Sequence, residues 1–226
     1  MAGPAGLVIA TDGIVGAGKT ATARRVAQIL GYRHLDTGAM YRAVTLAAGR
    51  RGIKAEQRAE LAQLLAQLDI ELQPESAGGR ILLDGEDISA AIRLPEISRS
   101  VGPYADEPLV RRDLVARQQA LGVAGGVVAE GRDVGTVVFP RADLKIRLVA
   151  DLAVRARRRH LELVEKGVDI DLAQVEADVR DRDRQDAERD YGAATDGADA
   201  IELDTTELSL EEQVGQIVSW AKERGG

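Results

Sequence analysis

The sequence predicts an α/β protein, with a parallel β-sheet lying between two layers of helices. Three observations predict it. Short apolar runs at Leu7–Ala10 and Val127–Ala129 read as buried strands, with Leu144–Val149 as a further strand. Stretches of helical periodicity fall between them, and strands alternating with helices imply a parallel sheet covered on both faces. A glycine-rich loop, GIVGAGKT, joins the first run to the first helix.

The elements follow in order. Leu7–Ala10 ends in the turn Thr-Asp-Gly, and Thr20–Leu30 is helical through Ala21, Val26, Ala27 and Leu30, stopping at Gly31. Tyr32–Asp36 is a second strand, and Ala39–Arg51 a second helix ending near Gly52. Glu56–Leu68 is a third helix, with Leu61, Leu64, Leu65 and Leu68 on one face. Then the period changes: Ile70–Gln73, Arg80–Asp84 and Asp87–Ser89 read as short strands separated by SAGG and DGE turns, a small antiparallel insertion. Helix resumes after Pro95, and Pro108 stands near the start of the helix Leu109–Leu121. Gly122–Gly126 is a loop before Val127–Ala129, which ends in Gly-Arg-Asp. Leu144–Val149 is followed by two charged helices, Ala153–Glu165, closed by Gly167, and Val175–Arg189. A last strand, Ala200–Leu203, precedes the amphipathic helix Leu210–Glu223, which carries the single tryptophan, Trp220.

Composition narrows the function. The 226 residues suffice for one sizeable core. A net charge of −7 argues against a general nucleic-acid binder, which carries a basic face. Without cysteine there is no disulfide, thiolate zinc site or cysteine nucleophile. The two histidines, His34 and His160, read as ordinary packed or surface residues, too few for a triad or a histidine metal cluster. No basic leader and no apolar run of spanning length is apparent, so a soluble cytoplasmic protein is expected.

The loop Gly13-Ile14-Val15-Gly16-Ala17-Gly18-Lys19-Thr20 is a full match to G-x-x-x-x-G-K-[ST]. Its glycines let backbone N–H groups turn inward around phosphate oxygens, and the following helix points its positive end there. Lys19 reaches the β and γ phosphates, and the Thr20 hydroxyl can bind Mg²⁺. Ala21 continues the helix behind the loop. A nucleoside triphosphate is therefore expected. A GTP switch would read guanine through Asn-Lys-x-Asp, and the chain holds no asparagine.

Arginines recur at predicted strand ends and in the late helices. Arg42 follows LDTGAMY, and Arg132 stands in EGRD on the edge where open parallel sheets bind ligands. Arg182, Asp186 and Arg189 fall on one helix face. Phosphoryl transfer needs such a set, since its catalysis is mostly positioning and positive charge held close. On their own, arginines at these helical spacings are usually a solvated face of i,i+4 pairs, and they gain weight from the phosphate loop and EGRD in the same chain.

GIVGAGKT, LDTGAMYR, LDGEDISAAIR, EGRDVGTVVFP, EKG and the Arg182–Arg189 face together resemble bacterial cytidylate kinases, from about Leu7 to the last helix. The resemblance implies a three-layer αβα P-loop NTPase fold with an enlarged substrate-binding insertion and a helical lid. It implies a core of about 1–36, 94–150 and 192–226, an NMP-binding region of about 37–93 and a lid of about 151–191. It implies transfer of the γ-phosphoryl group of ATP to CMP or dCMP, with Mg²⁺, by a cytoplasmic monomer that takes small-molecule substrates, no nucleic acid and no membrane. By resemblance, Gly13–Ala21 hold ATP, and Thr37, Tyr41 and Arg42 border CMP. Arg111 and Asp133 read the cytosine edge, Arg132 holds the acceptor phosphate, and Arg182, Asp186 and Arg189 contact sugar and phosphates. Lys19, Arg132 and Arg182 are the catalytic cations.

Two departures bear on selectivity. Gly102 stands where the family commonly has a serine near the base, so one hydrogen bond is missing, and Ser100 or a water is the available substitute. Ala187 stands where a basic residue is common. Glu130 has two readings, a positioner of a Mg²⁺-bound water or a carboxylate paired with an arginine. A related kinase taking UMP, or a regulator that binds ATP without turnover, stays open as an alternative.

Overall fold

The computed structural model describes residues 6–74, 79–165, 167–188 and 199–225. Its centre is a five-stranded sheet of β1 (Val8–Gly13), β2 (Arg33–Asp36), β6 (Val127–Glu130), β7 (Leu144–Val149) and β8 (Ile201–Asp204), in the order β2-β6-β1-β7-β8. Every pairing in it is parallel. The helices are α1 (Lys19–Leu30), α2 (Thr37–Arg50), α3 (Arg58–Gln67), α4 (Pro95–Asp106), α5 (Pro108–Gly122), α6 (Leu152–Glu165), α7 (Leu172–Glu188) and α8 (Leu210–Glu223). The chain thus has the expected three-layer αβα arrangement.

The period-2 alternation of strand side chains divides the core in two. From β6, Val127 and Ala129 join Leu35 and the apolar faces of α2, α3, α4 and α5. Val128 points the other way, joining Ile9, Leu144, Ile146 and Leu148 against α1 and α8. Both faces of β6 are therefore covered, which is why VVA is apolar without interruption. Each fully buried leucine or isoleucine in these clusters contributes about 1.5–3 kcal/mol.

The insertion forms as expected: β3 (Ile70–Leu72), β4 (Ile81–Leu83) and β5 (Glu86–Asp87) make an antiparallel sheet. Asp84 (φ 50°) and Gly85 (φ 83°) turn β4 into β5 with both residues left-handed. Residues 75–78, within the first expected turn, lie outside the described residues.

Some boundaries differ from the expectation. The second helix begins at Thr37 rather than Ala39, because the Asp36 carboxylate caps it by accepting from the Ala39 N–H at 2.8 Å. The fifth strand lies at Glu86–Asp87 rather than Asp87–Ser89, since Ser89 folds back onto the Asp87 carboxylate. Glu130 is the last residue of β6, not just past it. Beyond EGRD, Val134–Val138 forms one π-helical turn that periodicity does not reveal.

Candidate active site

In the loop between β1 and α1, Gly16 (φ 77°) and Gly18 (φ 90°) take left-handed conformations that let the backbone curl. Gly16 also lacks room for a side chain, since a Cβ there would lie 3.0 Å from that of Arg155. Four loop carbonyls are engaged by donors from elsewhere in the site. Gly13 O accepts from Arg132 Nη1 at 3.0 Å, and Ile14 O from Lys19 Nζ at 2.7 Å. Val15 O accepts from Arg155 Nη1 at 3.1 Å, and Ala17 O from Thr205 Oγ1 at 3.2 Å. Carbonyls facing an anion would repel it. Anchored by other groups, they leave the positive start of α1 to face a phosphate.

Lys19 is buried, and burial, reinforced by the Arg132 guanidinium, pushes its ammonium down to about 7. Next to it, the Thr20 hydroxyl donates to Glu130 Oε2 at 2.8 Å. Glu130 Oε1 lies 3.0 Å from His34 Nε2. The Thr37 hydroxyl donates to the Glu130 carbonyl at 2.7 Å, tying the start of α2 to the end of β6. Glu130 is thus paired with a histidine and a threonine. The Thr20 hydroxyl spends its hydrogen on Glu130, so what it has left to offer is lone pairs. A hydroxyl and a carboxylate are hard oxygen ligands of the kind Mg²⁺ takes, alongside nucleotide phosphates. The residues fit the ion.

On the facing side, Arg132 Nε pairs with Asp186 Oδ2 at 2.8 Å, and Asp186 Oδ1 lies 3.3 Å from Arg182 Nε. Two guanidinium groups, one carboxylate and the loop carbonyl of Gly13 therefore meet at one place. Arg111 is ion-paired with Asp133. Asp12, the residue before Gly13, accepts from the N–H groups of Val134 (2.8 Å) and Gly135 (2.7 Å), which fixes the turn carrying Arg132 and Asp133. Burial raises the Asp12 carboxyl above its ordinary value against these two bonds.

Arg42 pairs with Asp36 at 3.3 Å, at the head of α2. Tyr41 and Thr37 are buried in the same helix. Gly102 is buried in α4, and the Ser100 hydroxyl donates to the Glu96 carbonyl one turn back, so it is occupied within its own helix. Arg189 lies outside the described residues. A cavity between α1, β2 and the small sheet is lined by Arg24, His34, Asp36, Arg80 and Arg93.

Sequence reasoning assigned no contact to Asp12, His34, Arg155 or Thr205. Asp12 was legible only as part of a turn, and His34 as a packed histidine. Arg155 donates to the nearby Ala150 O, but also to Val15 O, 140 positions away, and pairs with Asp183 at 2.7 Å, and the contact with the loop carries no local signal.

The sequence pattern of the family described as Cytidylate kinase matches residues 9–223. A bifunctional pantoate ligase/cytidylate kinase of Synechococcus elongatus is 49% identical over 223 residues, 96% of this chain and 42% of that protein. The chain thus spans less than half the length of that relative. A cytidylate kinase of Geobacillus kaustophilus is 44% identical over 96% of this chain and 97% of its own. One of Syntrophotalea carbinolica is 43% identical over 96% and 93%.

Proposed function

The chain belongs to the cytidylate kinase family, and from that premise we propose that it transfers the γ-phosphoryl group of ATP to CMP or dCMP, giving ADP and CDP or dCDP. The observation that carries this reading is Arg132. It reaches the Gly13 carbonyl of the phosphate loop while sharing the Asp186 carboxylate with Arg182, so cations suited to an acceptor phosphate stand at the mouth of a triphosphate cradle.

In this mechanism ATP lies on Gly13–Ala21, with Lys19 on its β and γ phosphates. CMP lies between the insertion and Arg132, bordered by Thr37, Tyr41 and Arg42. An oxygen of the CMP phosphate attacks the γ-phosphorus in line. The bond to the β,γ-bridging oxygen breaks, and ADP leaves with that electron pair. The attacking oxygen is already anionic near neutral pH, because a phosphate's second pKa is about 6, so no strong general base is required. Lys19, Arg132 and Arg182 neutralise charge as it spreads over the transferring group. Mg²⁺, bound with ATP, supplies further neutralisation of the phosphate oxygens, and Thr20 and Glu130 would hold it.

Arg111 and Asp133 face the cytosine edge in this reading, and Gly102 leaves space beside it. The segment of about 151–191, with α6 and α7, acts as the lid, and closing it excludes water so that ATP is not hydrolysed. The region of about 37–93 carries the acceptor. A monomer in the cytoplasm belongs to the same reading. Among the described residues no helix is long and apolar enough to cross a membrane.

A coupled assay across CMP, dCMP, UMP and AMP tests it. CMP and dCMP should turn over well ahead of UMP and AMP, with negligible ATPase when no acceptor is present. Preference for UMP would move the chain to another acceptor, and rapid ATPase without acceptor would overturn the kinase reading.

A further inference from the structure

Strands β2 and β6 pair in parallel with Asp36 opposite Glu130. Facing partners in a parallel pair share a side of the sheet, and so do residues two apart. His34 therefore emerges on the same side as Glu130, toward α1, where Thr20 lies. The register thus brings His34 and the start of α2 to Glu130, and Thr20 meets it from α1. Thr20 holds Oε2 at 2.8 Å, His34 Nε2 stands 3.0 Å from Oε1, and Thr37 holds the backbone carbonyl at 2.7 Å. The His34 and Glu130 side chains are 8% and 4% exposed, so water has little access to either.

We propose that His34 is a positioning residue for Glu130, fixing the carboxylate so that Oε2 stays against Thr20 and the pair is ready for Mg²⁺·ATP. The inference rests on the reading of Thr20 and Glu130 as the place of the ion. The terminal torsion of a glutamate is soft, with broad, roughly two-fold preferences. One hydrogen bond from Thr20 leaves the carboxylate plane free to turn about that contact. A second bond, from a ring held in a strand, removes this freedom. An ionised carboxylate only accepts, so Nε2 carries the hydrogen and donates it to Oε1. The ring also keeps Oε1 from competing for Thr20 or for Lys19, whose charge Glu130 supports.

The test uses the full chain without acceptor, so that nothing turns over. ATP binding is followed by calorimetry in EDTA and across a Mg²⁺ series, for the parent, His34→Leu and His34→Gln. Outer-shell partners of this kind are typically worth on the order of tenfold in metal affinity. His34→Leu should raise the Mg²⁺ midpoint by about that factor while ATP affinity in EDTA changes less than about twofold. His34→Gln places an amide N–H near the position of the imidazole Nε2 and should restore most of the loss. If His34→Leu does not fold, His34→Asn replaces it, since its shorter amide falls short of Oε1. An unchanged Mg²⁺ midpoint, or an equal loss with and without Mg²⁺, overturns the inference. So does a parent whose ATP binding ignores Mg²⁺. A parent that binds Mg²⁺·ATP but phosphorylates no CMP would sink the proposed function and leave this inference standing.

Discussion

Arg132 and Asp186 are joined Nε to Oδ2 at 2.8 Å, while the same guanidinium donates to the Gly13 carbonyl at 3.0 Å. The contact links the end of β6 to α7 and both to the phosphate loop. Asp186 also faces Arg182 at 3.3 Å, so one carboxylate holds two guanidinium groups side by side. Like charges kept this close need an anion between them. In the proposed cycle, phosphate oxygens take over from Asp186, and the arginines are already placed when substrate arrives.

Replacing Arg132 with Ala removes one of these cations and the link to Gly13. Arginines that stabilise a transferring phosphoryl group are worth about 10³-fold or more in turnover. Arg132→Ala should therefore lower kcat/KM for CMP by at least about 10³-fold, while ATP affinity falls only a few-fold because Lys19 and the loop amides remain. Calorimetric binding of each nucleotide, beside steady-state rates, checks the split. Equal losses for ATP and CMP would place Arg132 in the loop's structure rather than on the acceptor.

Lys19 gives the ligand-free protein a pH-dependent weakness. Its ammonium releases its proton at about 7 in the folded chain, against an ordinary value of 10.5, because burial and Arg132 disfavour the charge. Between these values the unfolded chain binds more protons, so the folded state gains stability from this group as pH rises. Below about 7 both states are protonated and the full burden applies. Ligand-free Lys19→Met should thus gain stability relative to the parent most at about pH 6, with the difference narrowing toward about pH 10. Urea midpoints at several pH values read this directly, and a difference that does not vary with pH would contradict it. The same variant should be nearly inactive.

Much of this was legible in the sequence for a physical reason. The phosphate loop is local, and eight consecutive residues, Gly13–Thr20, carry its chemistry. The doubly covered sheet shows in uninterrupted apolar runs such as Val127–Ala129. The Arg182–Asp186 pair follows from helical spacing alone. What periodicity cannot carry is contact between distant segments. Asp12 meets Val134 and Gly135 across more than a hundred positions, and His34 meets Glu130 across 96. Helix starts slipped by two residues where a side-chain cap, Asp36, set the boundary. The π turn at Val134–Val138 has apolar residues that fit a strand or a helix equally, so its form depends on Asp12 capping it.

Asp133 offers a test of base selectivity. It is buried and ion-paired with Arg111, so its carboxylate is held as an acceptor. Cytosine presents an exocyclic amine, a donor, where uracil presents an oxygen. Asp133→Asn exchanges one acceptor oxygen for an N–H group. The kcat/KM ratio of CMP over UMP should fall by at least about tenfold, mostly through a loss on CMP, as expected when a site built to hydrogen-bond one group loses that partner. Parallel titrations with the two nucleotides measure it, and an unchanged ratio would remove Asp133 from the base site.

Gly131 sits between the carboxylate that faces the loop and the arginine that faces the acceptor. A methyl group added there would overlap the Thr37 hydroxyl and come within 2.8 Å of Val134 Cγ2. Thr37 is the residue that holds the Glu130 carbonyl, and Val134 is the one Asp12 caps. Gly131→Ala must push both away, at a cost of about 1–3 kcal/mol for overpacking a filled site. The displacement reaches Glu130 on one side and Arg132 on the other, so activity should fall further than stability. The expected result is a cooperative unfolding transition lowered by that amount, with kcat reduced by more than about 10²-fold, since small misplacements of reacting groups are amplified in rate. Thr37→Ala in the same background removes the overlapping oxygen together with its bond to the Glu130 carbonyl, so it should recover stability more than rate. Full activity in the Gly131→Ala protein would mean that the β6 end tolerates movement, and that Glu130 and Arg132 need not be held in fixed relation.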